Sequence, residues 1–167
     1  IYAYGEINVA YSIFKSNSAT FRGGAIYSRT YGSTFTNCTF ASNSTIEERG
    51  AAIYFYSNGT VLNCIFYDNQ SANYSSGEHI YGSYNATYSD FASPAEFVSG
   101  TGNLTADPEF TNFNNYELGI NSPCLDAGYS IQLDPDDTKM DMGANYLYQP
   151  IDGVEITGSS NTSIYNG

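Results

Sequence analysis

The sequence predicts an all-β chain wound as a right-handed parallel β-helix, a solenoid with rungs of about 25–27 residues, an irregular C-terminal cap and a strand-like tail. Three observations carry that prediction. Phe14, Phe40 and Phe66 stand 26 residues apart, and Phe91 follows after 25. Gly23, Gly50 and Gly77 recur every 27 residues and open segments that contain Ile26-Tyr27, Ile53-Tyr54 and Ile80-Tyr81. The apolar content of the 167 residues leans on 17 Tyr and 10 Phe, set among Gly, Ser, Thr and Asn, a composition of strands and turns.

Residues 1–94 hold the rungs. A unit of this length with short strands and Gly-rich corners cannot bury an apolar face alone, so successive units must stack. Leucine-rich repeats share the length, but their Leu spacing is absent. Strand alternation turns Phe14, Phe40, Phe66 and Phe91 inward, with Ser12, Cys38, Cys64 and Ser89 two positions earlier, and Ala10, Thr36, Leu62 and Thr87 two before those. Asn17, Asn43 and Asn69 follow the Phe column by three residues and are expected to stack their amides at a corner, a column that Pro94 ends.

Residues 95–150 read as the closing segment of the same domain: irregular loops with Pro108 and Pro123, suited to covering the unpaired strand edges at the end of a stack. Residues 151–167 read as a strand-like tail, either a link to a further domain or a strand that pairs with another copy. The first residues already read as strand, so rungs ahead of Ile1 are expected.

A net charge of -12 disfavours nucleic acid and anionic membrane surfaces as partners. No stretch approaches the roughly 18–20 apolar residues of a membrane-spanning helix. Asn-x-Ser/Thr triplets begin at Asn37, Asn43, Asn58, Asn69, Asn73, Asn85, Asn103 and Asn161, more than twice what composition alone gives, so an extracellular, N-glycosylated chain is expected. A ladder amide has no room for a sugar, which leaves Asn37, Asn58, Asn73, Asn85, Asn103 and Asn161 as acceptors. Asn37 is expected to face outward beside inward Cys38, with Asn58, Asn85 and Asn103 in loops. The three cysteines, Cys38, Cys64 and Cys124, are too few for a disulfide framework and read as buried small apolar residues.

No catalytic residues are expected, and the chain is read as a non-enzyme. Glu47, Glu48, Asp68, Glu78 and Asp90 fall at differing rung positions, with Arg22, Arg29 and Arg49 near corners. His79, the one histidine, is placed at a corner. Asp134, Asp136, Asp137 and Asp141 carry enough oxygens for a calcium ion, without the glycine of an EF-hand loop; a solvated acidic loop is the alternative, and no other cofactor is expected. Tyr27, Tyr54 and Tyr81, with Tyr56, face outward, either as a platform for sugar rings or a protein partner or as a ladder that stiffens the sheet.

The rung openings Gly23-Gly24-Ala25-Ile26-Tyr27 and Gly50-Ala51-Ala52-Ile53-Tyr54, each followed by Phe-x-x-Asn, resemble the repeats of polymorphic-outer-membrane-type, adhesin-like β-helix proteins. The later string Asp107-Pro108-Glu109-Phe110, Tyr116-Glu117-Leu118, Ser122-Pro123-Cys124-Leu125-Asp126-Ala127-Gly128 and Asp141-Met142-Gly143-Ala144 resembles the C-terminal closure of choice-of-anchor β-helix surface proteins. Cys124 stands where that pattern has Ala. The resemblance spans residues 7–148 and implies a large bacterial or archaeal surface protein without a catalytic motif. The function expected is an extracellular structural or adhesive module: a glycosylated rod that displays a surface or joins copies of itself, or further domains of a longer chain, end to end. A carbohydrate-binding or polysaccharide-cleaving β-helix is the alternative.

Overall fold

A computed structural model describes residues 1–74, 79–92, 98–131 and 133–149. The tail 151–167, Pro94, Glu78 and Asn161 lie outside the described residues. The described chain is all-β, without a helix, and its strands wind into a parallel solenoid. The first rung contributes β1 (Tyr2–Ala3), β2 (Asn8–Ala10), β3 (Ile13–Lys15) and β4 (Ser18–Ala19). The second contributes β5 (Ile26–Ser28), β6 (Ser33–Thr36), β7 (Thr39–Ala41) and β8 (Ser44–Thr45). In the third, β9 (Ile53–Leu62) fuses two strand positions and is followed by β10 (Ile65–Tyr67) and β11 (Gln70–Ser71); the fourth holds β12 (Ile80–Thr87) and β13 (Asp90–Ala92). One sheet joins β1, β5, β9, β6 and β2, with β12 on β9; a second runs β13-β10-β7-β3, and a third β11-β8-β4.

The register is what the repeat requires: Phe14, Phe40, Phe66 and Phe91 are direct partners on neighbouring strands. Their rings stack at centroid separations of 4.8, 5.0 and 5.0 Å and within 7° of parallel. Ring stacking follows from the strand spacing of about 4.8 Å, which holds like residues at aromatic contact distance. The Asn column is a bonded ladder. Asn43 Oδ1 accepts from both the backbone N–H and Nδ2 of Asn17 (3.0 and 2.9 Å), and Asn69 Oδ1 does the same for Asn43 (3.0 and 2.9 Å). Each Nδ2 also reaches a carbonyl, Asn43 to Phe14 and Asn69 to Phe40 (both 2.8 Å). His79, fully buried, continues this column, its Nδ1 3.2 Å from Asn69 Nδ2.

One inward column differs from expectation. Ala10, Thr36, Leu62 and Thr87 do not line the interior; Val9, Phe35, Val61 and Ala86 do. The cause is the next residue in each rung. Tyr11, Asn37, Asn63 and Tyr88 have φ of 49°, 48°, 53° and 49°, a left-handed conformation that breaks the two-residue alternation at the corner. The residue after it then turns inward and bonds back two positions, as when Ser89 Oγ donates to the Thr87 carbonyl at 3.0 Å. It also accepts from the rung before, as Ser89 Oγ does from Cys64 N (3.0 Å). Burial holds the Cys64 thiol well above its ordinary pKa, and Cys38, Cys64 and Cys124 are all buried free thiols.

Rung length is adjusted at the corner between the Phe column and the next Ile-Tyr pair, which lengthens by one residue per rung, and at the turn between the two halves of the largest sheet. Ser28 pairs with Phe55 and Ser33 with Gly59, whereas Gly82 pairs with Phe55 and Ser83 with Asn58. Tyr56 and Ser57 therefore bulge out with no counterpart in the fourth rung, so that the Ile-Tyr marker keeps a spacing of 27 there while the Phe column closes to 25. Gly59 is required at this turn, because a Cβ would enter the Phe55 ring.

The closing segment first covers part of the end of the stack, where residues 101–104 pair with the fourth rung, and then runs along its flank. Leu104 bridges to Asp90 and extends the stack by part of a rung. The chain then forms a short antiparallel hairpin, β14 (Phe110–Asn112) with β15 (Glu117–Leu118), and passes back over the outer face of the β13-β10-β7-β3 sheet. That face is apolar, and Ala41 and Ile65 bury against Phe110, Tyr116, Leu118, Cys124 and Met142. Polar ties lie beside them: Lys15 Nζ to Asn114 O (2.9 Å), Ala144 N to Thr39 Oγ1 (3.0 Å), Gly143 N to Asn63 O (2.7 Å) and Cys124 Sγ to Asp90 Oδ2 (3.4 Å).

Asp90 is sealed beneath this strap, and burial pushes its carboxyl up to about 6. A folded pKa above the unfolded value means that the fold prefers the protonated acid, so stability rises as pH falls through 6 and levels off near 4. Asp134, also raised to about 6, acts in the same direction. Asp90→Asn is expected to stabilise the chain by about 1–2 kcal/mol at pH 7.5 and by almost nothing at pH 4. Urea melts at the two pH values check it; an equal effect at both would place the cause elsewhere.

Candidate binding face

Tyr27, Tyr54 and Tyr81 are register partners on β5, β9 and β12, and Tyr2 on β1 pairs with Tyr27. Their rings meet at 4.8, 5.2 and 5.1 Å along the outer face. Arginines roof the column. Arg22 Cζ lies 6.0 Å from the Tyr27 ring centre and 5.1 Å from that of Tyr54, and Arg22 forms an ion pair with Glu48. Arg49 Cζ lies 4.4 Å from Tyr74 and 5.4 Å from Tyr81. Tyr27 is only 8% exposed beneath this cover, and burial raises the Tyr54 phenol above its ordinary pKa.

Of the residues expected to form one platform, Tyr56 stands apart. It belongs to the bulge, 61% exposed, and its ring faces Arg29, whose Cζ lies 5.3 Å from Tyr56 and 5.5 Å from Tyr4. Three of the five cationic side chains thus lie on tyrosine rings, Arg22 and Arg49 against the column and Arg29 apart from it. From sequence these arginines lie near corners without a role; the signal for their place is that Arg22 and Arg49 each precede an outward Tyr by five residues.

The expected glycan acceptors divide. Asn58, Asn73 and Asn85 are exposed. Asn37 is corrected: it does point away from the solenoid, but the strap covers it, leaving 2% exposed with its Nδ2 donating to Asp141 O at 3.2 Å. Asn103 is corrected as well, because it sits in the Ser-Cys column, where Oδ1 accepts from Ser89 N (3.1 Å) and Nδ2 donates to the carbonyls of Ala86 and Val98 (3.0 and 3.1 Å). An amide nitrogen so engaged has no free direction for a sugar.

The acidic loop organises the strap with its own carboxylates. Asp141 accepts from Asp126 N (2.7 Å) and Leu147 N (2.8 Å), Asp134 from Asp141 N (2.7 Å), and Asp136 from Thr138 N (3.2 Å) and Gln149 N (2.6 Å). Asp137 points to solvent. The four therefore do not converge on a calcium position, and among the described residues no group of three or more His, Cys, Asp or Glu is placed to hold a metal ion. The other carboxylates are dispersed: Glu48 on Arg22, Asp68 on Ser42 and Gln70, Asp90 under the strap.

Residues 11–29 match the Chlamydia polymorphic membrane protein repeat. The matched stretch runs from β3 through the Asn17 corner to β5, so it carries one Phe of the stacked column, one ladder Asn and one Gly-Gly-Ala-Ile-Tyr opening. No curated protein and no solved structure matches the chain. Repeat and parallel solenoid together fit a β-helix of the polymorphic-membrane-protein kind.

Proposed function

We propose that the chain is a structural and adhesive module outside the cell, a rigid glycosylated rod that presents one flank and joins like elements along its axis. The observation that carries this reading is the stack itself. Each column repeats in register, and among the described residues the strands β2, β3 and β4 of the first rung pair on one side only. Such edges are templates for another rung, from the same longer chain or from a second copy. The polymorphic-membrane-protein repeat points to a surface-exposed, adhesin-like family, and the likeness of residues 107–144 to a choice-of-anchor closure agrees with it. Glycans belong on Asn58, Asn73 and Asn85, which the fold leaves exposed.

Electron cryo-microscopy of the natively produced protein tests the proposal. Rods or filaments with continuous rungs and sugar density at these three asparagines are expected. Compact single particles with bare asparagines and no axial partner would refute it.

A further inference from the structure

We propose that Arg29, clamped between Tyr4 and Tyr56, binds the carboxylate of an acidic sugar at the tip of a glycan. This rests on the adhesive reading above and gives that surface a ligand. The clamp spans neighbouring rungs: Arg29 N donates to Ala3 O (3.0 Å), and Ser57 Oγ donates to Arg29 O (3.3 Å), so the backbone is held on both sides. The guanidinium plane lies over two rings, and one edge donates to the Tyr2 hydroxyl at 3.4 Å. Hydrogen bonding from Tyr4, ahead of that from Arg29, holds the Tyr2 phenol below its ordinary pKa.

What distinguishes Arg29 from Arg22 is its charge balance. Arg22 is neutralised by Glu48, whereas no carboxylate of the described residues pairs with Arg29. An exposed, pre-oriented guanidinium without a counter-ion, on a chain of net charge -12, is a local anion site in an otherwise repelling field. The surrounding field selects against densely charged ligands, because each further negative charge meets the acidic body. A single carboxylate on a mostly neutral oligosaccharide avoids that cost. Around the guanidinium the flat faces of Tyr4 and Tyr56, 72% and 61% exposed, offer contact to the C–H faces of pyranose rings. Tyr56 lies in a turn that the second and third rungs share and the fourth lacks, so the clamp is local to this place on the rod.

The test is titration of the whole chain with 3′-sialyllactose, lactose, a heparin fragment and a polyglutamate peptide, followed by ligand-observed NMR. Binding of sialyllactose with at least about tenfold preference over lactose is expected, weakening as salt rises. Arg29→Gln removes that preference, Arg29→Lys retains part of it, and Tyr56→Ala lowers affinity severalfold. Arg29 is exposed, and unchanged urea melts of each variant separate lost recognition from lost folding. Equal binding of lactose, indifference to Arg29→Gln, or tighter binding of heparin or polyglutamate would overturn the assignment. Intact rods without sialyllactose binding would sink the ligand alone; binding by compact particles without axial partners would sink the module reading and leave the site standing.

Discussion

Phe66→Ala is expected to cost the fold about 3–5 kcal/mol, the largest loss from any single truncation of the core. Phe66 is fully buried, and its ring lies between those of Phe40 and Phe91 at 5.0 Å on each side, within 2° of parallel. The sheet ladders set the distance between rungs, so the neighbouring rings cannot close the gap, and the cavity persists. In a stack whose stability is a sum of rung and interface contributions, removal of this ring weakens two interfaces at once. Phe14 has the same chemistry but one stacked neighbour and partial exposure, so Phe14→Ala should cost about half as much. Equilibrium unfolding in urea decides: equal losses for the two variants would mean that ring stacking does not couple the rungs.

Asn43 gives the second large effect. Its side chain is fully buried and makes polar contacts in both axial directions, so Asn43→Ala leaves the Asn17 amide donors and the Phe14 carbonyl without this partner, at a cost of about 2–3 kcal/mol. Asn43→Asp is nearly the same shape and should be worse near neutral pH. A carboxylate keeps the acceptor toward Asn17 but turns two donors into a negative charge facing Asn69 Oδ1 and the Phe14 carbonyl. Burial and these acceptors raise its pKa above the unfolded value, so stability returns as pH falls and the acid becomes a donor. Melts of Asn43→Asp at pH 7.5 and pH 5 check this; no recovery at pH 5 would show that the ladder tolerates charge.

The columns were legible in the sequence because stacking makes like residues partners, so Phe14, Phe40, Phe66 and Phe91, the Ile-Tyr pairs and the ladder asparagines could be read from spacing alone. The corner was not. Tyr11, Asn37, Asn63 and Tyr88 adopt a left-handed conformation without being glycine, and alternation carried through them put Thr36 and Leu62 inside in place of Phe35 and Val61. The path of the strap was also hidden, since Met142 and Phe110 repeat nothing and find their places only against a finished sheet. For the same reason Asn37 passed for an accessible acceptor. The Arg29 clamp lies at a turn that the fourth rung lacks, a difference that shows in the sequence as spacings of 27 and 25 but acquires meaning only once Tyr56 has nowhere to pair.

The strap also changes how the rod bears load. Rungs held by ladder bonds alone separate one at a time when the ends are pulled apart, each bond row failing as a zipper does. Here a single stretch of chain is fastened at Lys15 on the first rung, Thr39 on the second, Asn63 on the third and Asp90 on the fourth. Tension along the axis must shear that tie lengthwise while it parts the rungs, so the flank acts as a tendon and the rod resists bending most stiffly on the side where it is bound.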